Sequence, residues 1–356
     1  MHIALGYRWY PNNPFRHWEQ VLQTLGHTVT YVGLPETPRA GYDNTIPLVE
    51  LLAALQPPPD LYWWIDPSGR YFPMGIEDLP IPTACYLVDV HLGNWRQAAA
   101  QFFDAVFIAQ RNHLDSYRRS LPHPQIFHLP LCVDPQTHDR LNLRRTYDVA
   151  FVGNIARAHH KTPRARQLGL LADRYKTNDF FRVYLQAEQA QVYNQAKIVF
   201  NTSIAGEVTQ RLYEATACGA LVITDTRLEA LGDQFELGRD LVPYQDEADL
   251  ITKVDYYLNH AEERERIAEN GYQRTLTRHT YYHRAQAFLE AIANPPIKRL
   301  APMRSASAVQ RFALRRKVYT HLHMLDALFD LTHTLGYQPL RRLWAIAPCL
   351  IRRLLI

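Results

Sequence analysis

Short apolar runs alternate with amphipathic stretches along most of this chain, the pattern left by parallel strands buried beneath helices. HIALGY (His2 to Tyr7) predicts a strand, WEQVLQTLGH (Trp18 to His27) a helix stopped at Gly26, and TVTYVGL (Thr28 to Leu34) a second strand. Further strands are predicted at DLYWWID (Asp60 to Asp66), TACYLVD (Thr83 to Asp89) and AVFIA (Ala105 to Ala109), each ending at a polar turn. The βαβ opening points to a Rossmann-like unit. No Gly-x-Gly-x-x-Gly follows its first strand, which argues against a dinucleotide cofactor.

A second series of the same kind begins at YDVAFVGN (Tyr147 to Asn154), followed by a polar loop and the helical RARQLGLLADRY. Lys197 to Asn201 and Ala220 to Thr224 predict two more strands, and Val208, Leu212, Ala215 and Ala217 recur at helical spacing between them. Thr209 is placed to cap that helix, and Arg211 and Glu214, three apart, share one of its faces. In an open parallel sheet, ligands sit beyond the carboxyl ends of the strands, where helix amino termini attract anions. Arg211 would there neutralise a phosphate and Glu214 accept hydrogen bonds from both ribose hydroxyls. An intrahelical ion pair on a solvated face, contributing only about 0.3–0.5 kcal/mol, accounts for the same spacing and stays open.

The block GEVTQRLYEATACGALVITD, ending at Asp225, resembles the nucleotide-sugar segment of group 1 glycosyltransferases of the GT-B fold. Thr209, Arg211, Glu214, Ala215, Cys218 and Gly219 follow in order the pattern of that family's spore-maturation-type branch. The broad family carries two glutamates separated by seven residues. Here Glu207 and Glu214 are separated by six, and Gly206 stands where the first would be. Backbone N–H groups around Ala205 and Gly206 are the candidates to replace it. YDVAFVGN is similar to the strand and loop where backbone near Gly153 and Asn154 approaches the phosphates, with Lys161 and Arg164 within reach of the same anion or simply solvated. The run His279 to Arg284 is similar to the family's closing helices, and HLPLCVDP (His128 to Pro135) to the segment leading into its interdomain crossing. The resemblance spans roughly residues 60 to 292.

It implies two Rossmann-like lobes facing a cleft, residues 1–140 on the acceptor side and 141–295 holding the nucleotide sugar; beyond them the charge and apolar pattern predict a basic helical extension from 296 to 356. The activity implied is transfer of a sugar from a nucleotide-activated donor, which is a substrate and not a cofactor. Basic side chains and helix dipoles would stand in for a divalent ion, each well-aimed donor supplying about 3–4 kcal/mol to the transition state. A nucleotide-sugar epimerase and a catalytically inert nucleotide- or glycan-binding relative are the alternatives. On the acceptor side Asp66, Asp89 and His91 end strands. If the fourth strand continues, alternation puts Asp89 and His91 on one face, with the carboxylate orienting the imidazole and raising its basicity for the acceptor proton. The alternative is a loop aspartate capping the next helix.

Composition narrows the setting. With 47% hydrophobic and 21% charged residues, 356 residues provide for two buried cores. No run of about 18 apolar residues exists and no leader pattern precedes the first strand. Cys85, Cys132, Cys218 and Cys349 lack paired-ligand spacing, and His159-His160 and His321-x-His323 lack carboxylate or cysteine partners, so cytoplasmic, reduced thiols and no metal are expected. From Pro296 onward 11 Lys or Arg stand against two acids, a balance of +9, leaving −5 for residues 1–295 in a chain of net +4. Leu322, Leu325, Leu328, Phe329 and Leu331 to Leu335 predict an amphipathic helix. Such a segment lies on an anionic membrane surface or packs back over the amino-terminal lobe, and both remain open. No nucleic-acid motif accompanies the charge.

Overall fold

Leu61 to Ile65 are buried along their whole length, yet they serve two different cores. Tyr62 and Trp64 enter one apolar cluster, while Leu61, Trp63 and Ile65 enter another. A strand buried on both faces requires helices above and below its sheet. In the computed structural model, which describes residues 1–10, 13–33, 46–66, 71–153, 155, 162–227, 231 and 234–324, this strand lies within six parallel strands. They are β1 (His2–Gly6), β2 (Thr28–Tyr31), β3 (Leu61–Ile65), β4 (Thr83–Leu87), β5 (Ala105–Ile108) and β6 (Ile126–His128), in spatial order β2-β1-β3-β4-β5-β6.

One face of this sheet is covered by α1 (Arg16–Thr24) together with α10 (Tyr281–Ala293), a helix that returns from the far end of the chain. Phe288 of α10 stacks on Trp63 at 3.8 Å between centroids, and Trp18 of α1 meets Trp63 edge-on. The other face carries α2 (Leu48–Ala53), α3 (Trp95–Ala100) and α4 (Leu114–Ser120).

The second sheet has four parallel strands, β7 (Tyr147–Ala150), β8 (Ala196–Asn201), β9 (Leu221–Asp225) and β10 (Val242–Tyr244), in order β10-β9-β8-β7. Helices α6 (Gln186–Asn194) and α7 (Gln210–Ala217) pack on one face, and α5 (Pro163–Arg174), α8 (Glu247–Asn259) and α9 (Ala261–Arg278) on the other. The run from His279 to Arg284 pins the chain where it crosses back. Thr280 bridges Val133, and the Arg284 guanidinium donates to the carbonyls of Pro130, Leu131 and Arg278. Most of the expected elements form, the strands being shorter than their apolar runs: β2 ends at Tyr31 and β4 at Leu87. Helices α2, α4 and α6 and strand β10 had no sequence expectation.

The basic carboxyl-terminal region supplies two further helices, α11 (Pro302–Ser305) and α12 (Ala308–His321), which close the face built by α3. Val318, Tyr319, Leu322 and Met324 join that core. Its arginines turn inward. Arg304 makes a two-point ion pair with the fully buried Asp104 (Nε–Oδ1 2.8 Å, Nη2–Oδ2 2.6 Å) and donates to the carbonyls of Glu77, Leu79 and Ile81. Arg315 pairs with buried Glu77 and donates to the Pro73 carbonyl. Up to Met324, therefore, the extension packs over the amino-terminal lobe, with Arg304 and Arg315 paired inward while Arg316 and Lys317 stay exposed. The amphipathic run from Leu325 onward lies outside the described residues. Among the described residues no helix is long and apolar enough to cross a membrane.

Burial pushes the Asp104 carboxyl up, but Arg304 and the backbone N–H groups of Ala301 and Thr83 outweigh it, and the net shift is downward. A carboxylate depressed in the folded state stabilises above its unfolded pKa and loses that contribution as pH falls through the folded value. Arg304→Ala, which strands a buried charge, should cost about 3–5 kcal/mol in urea unfolding at pH 7. The gap from wild type should close as pH drops below 4, and exposed Arg316→Ala should change neither.

Candidate functional site

The carboxyl edges of the two sheets face one another. Gln110, two residues beyond β5, bonds through its carboxamide to the backbone of Val208, two residues before α7. Arg16 of α1 donates to Gln186 of α6, and Gln210 donates to the Cys132 carbonyl in the crossing segment. The ligand position expected of open parallel sheets is thus the crevice between them.

On the second lobe's side of that crevice, α7 turns Arg211 inward, 8% exposed. Its Nε donates to the Val152 carbonyl (2.8 Å), its Nη1 to Asn201 Oδ1 (2.7 Å), and its guanidinium carbon lies 4.1 Å from the centroid of the Phe151 ring. Gly153 makes room for it, since a Cβ there would stand 2.5 Å from Arg211 Nη2. Arg164, in the first turn of α5, approaches the same ring at 6.0 Å and donates to the Thr202 carbonyl (2.8 Å), while its Nε is buried without a partner. Both guanidinium pKa values are lowered by burial, and the nearby charge of Arg211 lowers that of Arg164 further. Two cations thus meet at one strand end and donate their hydrogen bonds to neutral oxygens, an arrangement that favours an anion.

Glu214 lies half-buried one turn further along α7, and no hydrogen-bond donor among the described residues reaches its carboxylate. Burial, opposed by Arg211, pushes its pKa up to about 7. The solvated intrahelical pair is therefore not what forms: Arg211 is buried and makes no ion pair with Glu214 within 4 Å.

The loop before α7 differs from expectation in two respects. The Ala205 N–H donates to Glu207 (2.7 Å), as does that of Ile204, and the Gly206 N–H donates to Ser203 Oγ (3.2 Å). With Gly206 at φ +81°, the N–H groups predicted to stay open for a ligand are taken within the loop itself, that of Ala205 by the Glu207 carboxylate and that of Gly206 by the Ser203 hydroxyl. Thr209 occupies the N-cap position of α7, but its hydroxyl donates to Asn201 Oδ1 (2.7 Å) instead of capping the helix. Asn154 and Lys161 lie outside the described residues.

Across the crevice β4 stops at Leu87, and the Leu92 N–H closes a turn onto the Asp89 carbonyl (2.9 Å). Strand alternation therefore does not reach Asp89 and His91, and no hydrogen bond or ion pair joins them. Nor does Asp89 cap α3, whose N-cap residue is Asn94. Both side chains are half-buried on the loop, and His91 Nδ1 is buried without a partner. Asp66 is almost fully buried and paired with Arg96 of α3. Burial, countered by Arg96 and reinforced by Asp89, pushes its pKa up to about 6.

Three residues here had drawn no attention in the sequence: Asn201, Tyr193 and Gln110. Asn201 held a detectable signal, a carboxamide closing an otherwise apolar strand. Its Nδ2 donates to Thr224 (2.9 Å), which aims Oδ1 at Arg211 and Thr209. The buried Tyr193 phenol lies beside Arg211 and Glu214, close enough to interact with both. Among the described residues no group of three His, Cys, Asp or Glu side chains is placed to hold a metal ion.

Residues 140–290 match the model of a family described as glycosyl transferase-like. No curated protein matches the chain in sequence. Three solved structures share its fold at 13% identity each: a glycosyltransferase from Rickettsia africae (TM-score 0.60, 82% of this chain and 98% of that one), sucrose-phosphate synthase from Thermosynechococcus elongatus (0.58, 82% and 98%), and Anabaena HepE in complex with UDP and glucose (0.56, 82% and 99%). The chain has the GT-B architecture, two Rossmann-like lobes facing a cleft, and the lobe carrying Arg211 and Glu214 is the one that resembles the glycosyl transferase-like family.

Proposed function

We propose that this protein transfers a sugar from a nucleotide-activated donor, bound by the second lobe, to an acceptor presented by the first. The observation that carries the reading is the convergence of Arg164 and Arg211 on Phe151 beside Gly153, with the Glu214 carboxylate unpartnered one turn away. The guanidinium groups would hold the diphosphate and stabilise it as it leaves, without a divalent ion. Glu214 would accept hydrogen bonds from the ribose hydroxyls. Asp89 or His91, on the loop across the crevice, would take the acceptor proton. The family match over residues 140–290 and the UDP-bound HepE fold support the donor class. The order Thr209, Arg211, Glu214, Ala215 also favours the spore-maturation-type branch over the broad family.

Hydrogen bonds to a charged group contribute about 1.5–3 kcal/mol, so Glu214→Ala should weaken binding of the cognate nucleoside diphosphate roughly 10- to 100-fold, read by calorimetry across a panel of diphosphates. Unchanged affinity would remove Glu214 from the site. The carboxylate form is the better acceptor, so affinity in wild type should rise as pH increases through 7, and Glu214→Gln should flatten that dependence. Because the folded-state pKa of Glu214 is raised, the empty protein binds a proton that the unfolded chain has lost, and its stability falls as pH rises toward 7. Glu214→Gln should therefore melt higher than wild type above pH 7.

Transfer, followed as nucleotide release with and without candidate acceptors, should persist in excess chelator. Complete loss restored by manganese would overturn the metal-independent mechanism. Acceptor-independent conversion of the sugar would instead identify an epimerase.

A further inference from the structure

The Gln110 carboxamide forms a two-point hydrogen bond across the crevice. The side chain, 2% exposed, donates from Nε2 to the Val208 carbonyl (3.0 Å) and accepts the Val208 N–H at Oε1 (2.9 Å). A primary carboxamide, with donor and acceptor side by side, offers what a neighbouring strand would offer. Val208 lies in neither strand nor helix and takes its backbone partner from the opposite lobe.

Fixed geometry extends from both ends of this bond. From Val208 it passes to Thr209, whose hydroxyl bonds Asn201 Oδ1, the atom that also receives Arg211 Nη1. From Gln110 it passes into the single turn Arg111–His113, closed by the His113 N–H on the Gln110 carbonyl (3.1 Å). Just before it, β5 pairs Ile108 with Leu87 of β4 and the Ala109 N–H donates to the Leu87 carbonyl (3.0 Å), so the loop carrying Asp89 and His91 leaves the sheet beside Gln110. Neither of two other bonds between the lobes reaches these loops: Gln210 meets the crossing segment, and Arg16 meets the start of α6.

We propose that Gln110 is a positioning residue, a register pin that fixes the acceptor-side loop relative to the Arg211 and Glu214 site. Neither other close residue type serves. Asn is one methylene short, and Glu has no donor for the Val208 carbonyl. The catalytic consequence rests on the transferase reading, but the structural one does not.

Gln110→Met keeps the volume and removes both hydrogen bonds. Two measurements test it: amide hydrogen exchange at Val208, and turnover set against nucleoside diphosphate affinity. The expected result is faster exchange at Val208 and about tenfold slower transfer, with diphosphate affinity within about threefold of wild type. Wild-type exchange and turnover would overturn the proposal. So would a parallel loss of affinity and turnover, which would mark general disruption of the donor lobe. Gln110→Asn provides the same comparison should the Met variant not fold. If wild type turns over no nucleotide sugar, the transferase reading fails, while exchange at Val208 still decides whether Gln110 pins the lobes.

Discussion

Arg211 carries a permanent charge into an environment where its hydrogen-bond partners, Val152 and Asn201, are neutral, and much of the second lobe is arranged around that burden. A buried cation with no ion pair is costly unless oxygens and an aromatic face replace its water. Val152 supplies a carbonyl at a strand end, Phe151 supplies the ring, and Asn201 supplies an oxygen held in place by Thr224. Gly153 supplies space. With Arg164 on the other flank of Phe151, two guanidinium groups share the pocket, and the carboxylates of Glu207, Glu214 and Asp225 act on them without forming an ion pair. The proposed diphosphate site rests on that pair of cations, and the shift of Glu214 shows that the same burial bears on a carboxylate beside them.

The fold was largely legible because strands buried on both faces write themselves into the sequence as continuous apolar runs, LYWWI and ALVIT among them. Arg211 and Glu214 were legible because helical spacing is a local property. What failed was whatever depends on where a strand ends or a loop turns. Alternation through Asp89 and His91 assumed a strand two to four residues longer than β4, and the turn onto the Asp89 carbonyl ends it first. The open N–H groups at Ala205 and Gly206 assumed that the loop's own side chains pointed elsewhere, whereas Glu207 takes the first and Ser203 the second in a loop turned by the positive φ of Gly206. Gln110 and Asn201 act through partners 98 and 10 residues away, a relation no local pattern encodes.

Charge counting left two readings of the extension open for a related reason. A block of arginines with few acids suits a membrane surface or a packed seam, since sequence gives the sign of a side chain but not its direction. Asp104 and Glu77, which receive Arg304 and Arg315, lie some 200 and 238 residues upstream. Arg304, with Arg299, also satisfies the Leu79 carbonyl, which no strand or helix covers, so removing Arg304 would expose backbone as well as charge.

That connectivity orders events during synthesis. The first sheet is translated early, but one of its faces waits for Phe288 and the other for Val318 and Tyr319. While the ribosome is still making the second lobe, the nascent first lobe displays two apolar faces that α1 to α4 cover only in part, the condition under which partly made chains associate. The second sheet draws its covering helices from residues 163–278 and can close before the first does, so the lobe made last is the one able to fold first.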